Sequence, residues 1–549
     1  MTLSLGPDDL YSLLLELVAI PSVSFSEQEN EAADFIYTRL SELEYFRRNP
    51  SFLRKLPAAE GDPLRRNAVA ALVKTPSEGK KTVILTGHFD VVDAEAYGPL
   101  KSLAFSPEAL TKRIGELFIS EEARSDLAGG EYLFGRGVSD MKSGIALEMG
   151  LLAEISRGED FPANILFLAV PDEENTSAGM RGAVPWLVRL REEWGLEYAA
   201  ALNGEPSVGG RDVSAGAVYL GTIGKIMPFF LCVGKEAHVG DYFDGVSASL
   251  ITANLALTLE GAASTSETRD GRSFPPLACL RFRDLVRNYS VTIPERSVAY
   301  YNLLTVEKTP ARVLDEMKSA AAEALGKTLE RMEEQNALIR AGGGTFPSMK
   351  HLVPRVMDFS ELFSKARAKC TDLAVQLEAF AGALSPSLDE RDRCVETASF
   401  LLDLSGEKGP LIVVGFLPPF YPPRVNQRKT AGERALLRSI DRLKQDGREL
   451  GLDITSVEVF QGIMDLSYFG FQGDPDDLDV LADNMPLWGK EYRFPLEDLK
   501  KLDVPVTNFG PIGKDDHKNT ERLHLPYFLH TLPSLFRKFA GYIAEEQEE

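Results

Sequence analysis

Histidines and carboxylates recur in this 549-residue sequence in short motifs whose residue types suit metal binding. The first motif places His88 directly after the apolar run TVILTG, and Asp90 lies two residues further on. An imidazole suits zinc, and its second ring nitrogen needs an orienting partner. Asp90 points to the same side of an extended chain and could take that role. Taken alone, the pair favours a simpler interpretation, a partly buried histidine bonded to a nearby carboxylate.

Three further motifs supply carboxylates. Asp140 lies in GRGVSDMKSG, where it could bridge two metal ions, although an aspartate at a helix start is more often an N-cap. Glu173 and Glu174 lie in PDEEN, after the apolar run NILFLAV. Neighbouring side chains point in opposite directions, so one could bind metal while the other acts as general base. Glu205 lies in NGEPS, and its alternative interpretation is a solvated loop carboxylate.

Two motifs contain histidines from later in the chain. His238 lies in GKEAHVG and His517 in FGPIGKDDHKNTE. The alternative for His238 is a surface histidine. The alternative for His517 is an exposed polar loop, which the neighbouring Asp515, Asp516 and Lys518 favour. The chain has only six histidines, and three of them fall in these motifs, which favours a shared function.

The combined set provides enough ligands for two metal ions. It contains two histidines and three carboxylates: His88, Asp140, Glu174, Glu205 and His517. If Asp140 bridges, each metal receives three protein ligands and keeps room for water or substrate, which is typical of catalytic sites. The sequence therefore predicts two divalent ions. The ligands favour zinc, while cobalt and manganese stay open as alternatives.

The elements that must position these residues are short buried strands alternating with helices. Most of the motifs follow an apolar run, and ligands in open α/β sheets lie at the carboxyl ends of strands. We predict an α/β catalytic domain whose mixed, largely parallel sheet is flanked by helices. The pattern changes near residue 215, where the following region includes one long helix predicted over residues 360–384, and it returns near residue 452. We therefore assign residues 1–214 and 452–549 to the catalytic domain and residues 215–451 to an enlarged, inserted α+β lid domain.

The composition and charge of the chain argue against nucleic-acid binding, a disulfide-linked protein and a membrane span. The net charge of −22 disfavours nucleic-acid binding, because an acidic surface repels phosphate backbones. Four dispersed cysteines without a CxxC pair favour a reduced, cytoplasmic protein. The first residues lack the features of a signal peptide, and no apolar run reaches ~18 residues, so we expect no membrane span.

The order of the motifs resembles the dinuclear zinc exopeptidase and deacylase family. The shared order is HxD, GxGxxDxK, DEE, GEP, GxxAHxG and FGPxG…H…E, and it covers roughly residues 80–245 and 505–525. That family includes aminoacylase, carboxypeptidase G, acetylornithine deacetylase and succinyl-diaminopimelate desuccinylase. The length of the chain and the segment DLSYF at 465–469 resemble the subgroup of arginine-utilisation proteins, which implies a role in arginine metabolism.

The resemblance implies a role for each motif residue. The activity it implies is metal-dependent hydrolysis of an amide or peptide bond in a small substrate, an N-acyl amino acid, a dipeptide or an arginine-related amide. The implied roles are: His88 and Glu205 on one metal, Glu174 and His517 on the other, Asp140 as the bridge, Asp90 orienting His88, Glu173 as general base and His238 as oxyanion stabiliser.

Departures from the family pattern leave some properties open. Asp516 precedes His517, where relatives usually have a small residue. Asn302, Leu303 and Leu304 stand where a family strand usually carries an arginine after an aspartate. The insertion is about twice the usual size. In relatives the lid histidine often reaches across a dimer, and an enlarged lid can supply it within one chain, so both a homodimer and a monomer stay open.

Two other functions compete with amide hydrolysis. One is another two-metal hydrolase, such as a phosphoesterase, which the acidic chain and the lack of a Gly-rich phosphate loop disfavour. The other is a non-catalytic, metal-binding regulatory protein on the same fold. Glu173 counts against it, because a structural metal site needs no general base.

Overall fold

Helices and strands alternate along the chain in a computed structural model that describes residues 3–75, 80–207, 216–269, 271–385 and 388–546. The helices are α1 (Pro7–Val18), α2 (Gln28–Ser41), α3 (Glu44–Arg48), α4 (Pro107–Arg113), α5 (Glu121–Gly129), α6 (Lys142–Ser156), α7 (Ala178–Trp194), α8 (Ala248–Leu259), α9 (Pro310–Ala341), α10 (Phe359–Lys369), α11 (Leu373–Ala383), α12 (Glu390–Ser405), α13 (Ala431–Glu449), α14 (Asp477–Asn484), α15 (Leu496–Leu502) and α16 (Leu532–Glu545).

The strands are mostly short. They are β1 (Leu53–Pro57), β2 (Asn67–Val73), β3 (Lys81–His88), β4 (Tyr132–Phe134), β5 (Asn164–Val170), β6 (Glu197–Asn203), β7 (Ala217–Tyr219), β8 (Gly221–Thr222), β9 (Gly224–Val233), β10 (Thr268–Arg269), β11 (Arg272–Ser273), β12 (Ala278–Asp284), β13 (Arg296–Thr305), β14 (Arg355–Asp358), β15 (Leu411–Tyr421), β16 (Arg424–Val425), β17 (Thr455–Val457), β18 (Val506–Asn508), β19 (Gly513–Lys514) and β20 (Arg522–His524). None of the helices in these ranges is both long and apolar enough to cross a bilayer.

The first compact unit contains an eight-stranded mixed sheet. The unit comprises Met1–Ile223, Arg424–Phe471 and Pro495–Glu549. Its strand order is β1-β2-β5-β3-β6-β18-β7-β17, and β5, β3, β6 and β18 are parallel neighbours in the middle. Every residue of β5 is buried, as expected of a strand covered on both faces. The mixed, helix-flanked sheet confirms the predicted α/β fold class.

The register of the central strands brings their carboxyl ends together. His88, the last residue of β3, pairs with Val170 at the end of β5. Asn203, which ends β6, pairs with Asn508 at the end of β18. The motifs that contain Glu174, Glu205 and His517 follow the ends of β5, β6 and β18, so the carboxyl ends of these strands present them together with His88. Asp140 instead comes from the loop between β4 and α6, and His238 follows β9.

The second compact unit comprises Gly224–Pro423 and Gln472–Phe494. Its five-stranded sheet has the order β12-β13-β9-β15-β14, in which only β14 and β15 pair in parallel among the described strands. We expected one long helix from residue 360 to 384, but the chain leaves the helix at Cys370. There Asp372 accepts hydrogen bonds from Cys370 Sγ at 3.1 Å and from Gln376 Nε2 at 3.0 Å, so local side-chain bonds compete with the helix.

The boundaries of this unit differ from those predicted for the lid. The predicted boundary at 214/215 lies outside the described residues, and the unit begins at Gly224. The predicted end at 451 is wrong for the compact unit, because α13 belongs to the first unit. Leu436, Ile440 and Leu443 of α13 are buried in the core of the first unit, and the hydroxyl of Tyr542 in α16 donates to Asp446 at 2.7 Å. The roles of the two units as catalytic domain and lid stay predictions.

Candidate active site

His88 lies at the end of β3 and is 1% exposed. Its Nδ1 lies 3.0 Å from the backbone oxygen of Asp90. A carbonyl oxygen only accepts, so Nδ1 carries a proton, and in the neutral ring Nε2 then has the free lone pair that a metal ligand requires. Nε2 lies 3.1 Å from Asp140 Oδ1 and 4.0 Å from Glu205 Oε1.

The carboxylate of Asp140 lies between two imidazoles. Its Oδ1 faces His88, and its Oδ2 lies 3.1 Å from Nε2 of His517. The alternative interpretation of Asp140 as an N-cap is wrong. Helix α6 begins at Lys142, its N-cap position is Met141, and no side-chain cap bond is present there. A carboxylate with one oxygen toward each histidine has the arrangement that a metal bridge requires.

Glu174 and His517 meet on the other side of Asp140. Glu174 Oε1 lies 2.9 Å from His517 Nε2. The His517 side chain is 52% exposed, and its backbone φ is 66°. Among the described residues, two groups bring ligand atoms within 4.8 Å of one another: Asp140, Glu174 and His517 form one, and His88, Glu173 and Glu174 form the other. Glu205 belongs to neither group.

The spacing and chemistry of these atoms fit divalent ions. Two ligands at zinc distances and a tetrahedral angle lie roughly 3.3–3.6 Å apart. The pairs described above lie 2.9–4.0 Å apart, which brackets that value. Two histidine nitrogens and three carboxylates are a donor set that zinc, cobalt and manganese can bind.

Electrostatics at the site also favour a bound cation. Burial raises the pKa values of Glu173 and Glu205 well above their ordinary value, and it also raises that of Glu174. Burial lowers the pKa of His517, but the hydrogen-bonded carboxylates of Asp140 and Glu174 outweigh it and raise the value to about 12. Crowded buried carboxylates of this kind are stabilised by nearby positive charge.

Asp90 contacts the site in two ways. Its backbone oxygen orients His88, while its carboxylate Oδ1 lies 3.6 Å from His88 Nδ1. The carboxylate accepts the backbone N–H of Glu173 at 3.0 Å, the N–H of Glu174 at 3.2 Å and the hydroxyl of Ser24 at 2.7 Å. Asp90 therefore holds the loop after β5 against the end of β3.

The structure brings two further charged groups near this loop that the sequence motifs did not identify. The buried guanidinium of Arg66 contacts the carboxylates of Glu29 and Asp172, and Asp172 immediately precedes Glu173. Asp465 is 1% exposed and accepts the hydroxyl of Ser177 at 2.7 Å. Burial raises the pKa of Asp465 to about 7. In the sequence, Asp465 is marked only by the DLSYF segment. Arg66 is marked only by its position two residues before the apolar run AVAALV.

His238 lies in the second unit, on the exposed surface. It precedes the short 3₁₀ helix Val239–Asp244, and its Nδ1 accepts the N–H of Gly240 at 3.1 Å. In the neutral ring, this bond leaves the proton on Nε2 as a donor. That tautomer suits the predicted oxyanion role, which stays a prediction.

Comparison with known proteins gives consistent matches. The family model described as Peptidase family M20/M25/M40 matches residues 84–381. Uncharacterized protein YqjN of Bacillus subtilis (strain 168) is 33% identical over 539 residues, covering 96% of this chain and 95% of that protein. Protein RocB of the same strain is 30% identical over 536 residues, covering 96% and 93%. The structure of the di-peptidase Dug1p from Saccharomyces cerevisiae shares the fold, with a TM-score of 0.55 at 13% identity, over 98% of this chain and 97% of that one.

Proposed function

The chain belongs to peptidase family M20/M25/M40, and on this premise we propose that it cleaves an amide or peptide bond of a small substrate with two bound metal ions. Membership confirms the resemblance inferred from the motif order and makes the chain a hydrolytic enzyme of the metallopeptidase and amidohydrolase class. The observation that carries the two-metal proposal is the Asp140 carboxylate, which lies 3.1 Å from an imidazole nitrogen on each side.

The proposed ligands divide between two positions that share Asp140. His88 and Glu205 would complete one position, and Glu174 and His517 the other. Divalent ions bound there, zinc by donor preference and cobalt or manganese as alternatives, would supply Lewis acidity and lower the pKa of a water. The 4.0 Å separation of Glu205 from His88 Nε2 is the longest in the set, and it is compatible with two ligands of one ion.

Glu173 is the proposed general base. Its carboxylate would accept a proton from the attacking water and return that proton to the leaving nitrogen. The raised pKa of its buried carboxyl suits a group that must hold a proton between the two steps. Because the Asp90 carboxylate accepts the backbone N–H of Glu173 at 3.0 Å, the loop that carries the base is held against the end of β3. His238 would donate from Nε2 to the developing oxyanion.

The proposed substrates are N-acyl amino acids, dipeptides and arginine-related amides. The first two follow from the resemblance, and the third follows from the DLSYF segment shared with arginine-utilisation proteins. The zinc- and cobalt-loaded proteins should hydrolyse at least one of these classes in a screen that also contains phosphate esters. Hydrolysis of phosphate esters alone would support the phosphoesterase alternative instead.

Glu173→Gln tests the proposed base directly. Loss of a general base lowers the rate by about 10²–10⁴-fold, while the neutral amide keeps the size of the side chain. The variant should retain its metal and lose hydrolysis of the substrate that the screen identifies. Glu192→Gln is the matched control, because Glu192 is an exposed glutamate of α7. Equal activity of the two variants would rule out Glu173 as the base.

A further inference from the structure

A buried ion pair lies behind the candidate ligands Asp140 and His517. Arg136 is 1% exposed and Glu521 is fully buried, and Arg136 Nη1 donates to Glu521 Oε2 at 2.5 Å. The other oxygen, Oε1, accepts the backbone N–H groups of Gly137 at 2.8 Å and of Ser139 and Asp140 at 3.3 Å. One carboxylate therefore organises the backbone of the loop that ends at Asp140.

The same arginine also holds the loop of His517. Arg136 Nη2 donates to the backbone oxygen of His517 at 3.2 Å, and its Nε donates to the backbone oxygen of Asp93 at 3.1 Å. The guanidinium carbon lies 5.3 Å from the centre of the Tyr97 ring. These bonds join the guanidinium to two other segments, one at Asp93 and one from His517 to Glu521, and so fix both segments relative to the loop of Arg136.

His88 is held by other contacts. It is the last residue of β3 and pairs with Val170 of β5, and its ring bonds to the backbone of Asp90. His517 lies in a loop, half exposed, with φ at 66°. The two histidines therefore depend on different support, and only the support of His517 includes Arg136.

We propose that Arg136 and Glu521 are a positioning pair for the metal position formed by Asp140, Glu174 and His517. The pair sets the spacing of Asp140 and His517, and neither member is itself a ligand. Loss of the pair should weaken this position more than the His88 position, because the two positions share the Asp140 bridge but only His517 also depends on Arg136. The inference rests on the two-metal function proposed above.

Calorimetric titration of zinc into the metal-free protein tests the inference. Unchanged protein should bind two equivalents. In Glu521→Gln and in Arg136→Lys, one equivalent should weaken by about 10–100-fold, the usual effect of removing a partner behind a ligand, and the other should weaken clearly less. Absorption spectra of the cobalt-loaded variants should show the altered ligand arrangement at one position. Glutamine keeps the size of Glu521. Lysine keeps the charge of Arg136 but lacks the planar set of N–H donors with which the guanidinium bonds to several partners.

Glu491→Gln is the matched control. It breaks a two-bond pair with Arg393, at 2.6 and 2.8 Å, in the second unit, and it should leave both equivalents unchanged. Two unchanged equivalents in both test variants, or equal weakening of both equivalents, would overturn the inference. If one test variant does not unfold cooperatively, the other decides. Fewer than two equivalents in the unchanged protein would instead contradict the proposed two-metal function.

Discussion

The carboxylate of Asp90 accepts three hydrogen bonds within the candidate site. Two come from the backbone of Glu173 and Glu174, and one comes from the hydroxyl of Ser24. Asp90→Ala leaves both backbone donors unpaired in a buried site, at roughly 1–3 kcal/mol each. Ser24→Ala removes one donor and should reduce the free energy of unfolding by only about 1 kcal/mol. Denaturant unfolding in the presence of a chelator separates the two variants, and equal losses would contradict the role assigned to Asp90.

At the residue scale, short motifs predicted which side chains meet. Asp140 shows the limit of a single motif, because an aspartate near a helix start is read most simply as a cap, and only the fold brings His88 and His517 to its two oxygens. Arg136 and Glu521 lie 385 positions apart, so no local pattern joins them. The sequence predicted residues with metal-ligand chemistry more readily than the charged groups that hold them.

At the element scale, buried apolar strands were the most predictable feature. Every residue of NILFLAV is in β5, because its continuous apolar run suits a strand covered on both faces. The helix expected over residues 360–384 divides into α10 and α11. Helical periodicity continues through the break, so the pattern alone does not reveal the competing bonds of Asp372.

Asp358 provides a pH-dependent test at the start of α10. Its carboxylate accepts the N–H of Glu361 at 2.9 Å and Lys318 Nζ at 2.7 Å. Burial raises the pKa of Asp358, but these hydrogen bonds outweigh burial and hold it below its ordinary value. A lowered folded pKa stabilises the protein above the unfolded pKa, about 3.9, and that contribution is lost as the pH falls through the folded value.

Asp358→Asn should therefore be less stable than the unchanged protein by about 1 kcal/mol at neutral pH. Below about pH 4 the difference should shrink, because the protonated aspartate then resembles asparagine. Denaturant unfolding from pH 3 to pH 7 measures this difference. A difference that stays constant across the range would contradict the ionised contact with Lys318.

At the scale of the whole molecule, the five proposed ligands all belong to the first unit, and His238 belongs to the second. The sequence predicted an interrupted first domain from its change of pattern. It assigned α13 to the inserted domain and not to the first unit, because the pattern of an amphipathic helix shows which face is buried and not which core buries it. The return of Gln472–Phe494 to the second unit was missed for the same reason.

Zinc binding should consequently protect one unit more than the other. A ligand present at 100 times its Kd stabilises the state that binds it by about 2.7 kcal/mol. Hydrogen exchange with and without zinc should therefore slow at the segments around Asp140, Glu174 and His517, while α9 and α12 keep their rates. Equal protection of both units would contradict the assignment of all five ligands to the first.

Anomalous diffraction at the zinc edge would show whether Asp140 bridges two metal ions. Crystals grown with zinc should show two anomalous peaks per chain, about 3.5–4 Å apart, as in other two-metal sites. One peak should lie beside His88 and Glu205, the other beside Glu174 and His517, with the Asp140 carboxylate between them. A single peak, or a pair of peaks that does not flank Asp140, would contradict a bridging role for this carboxylate.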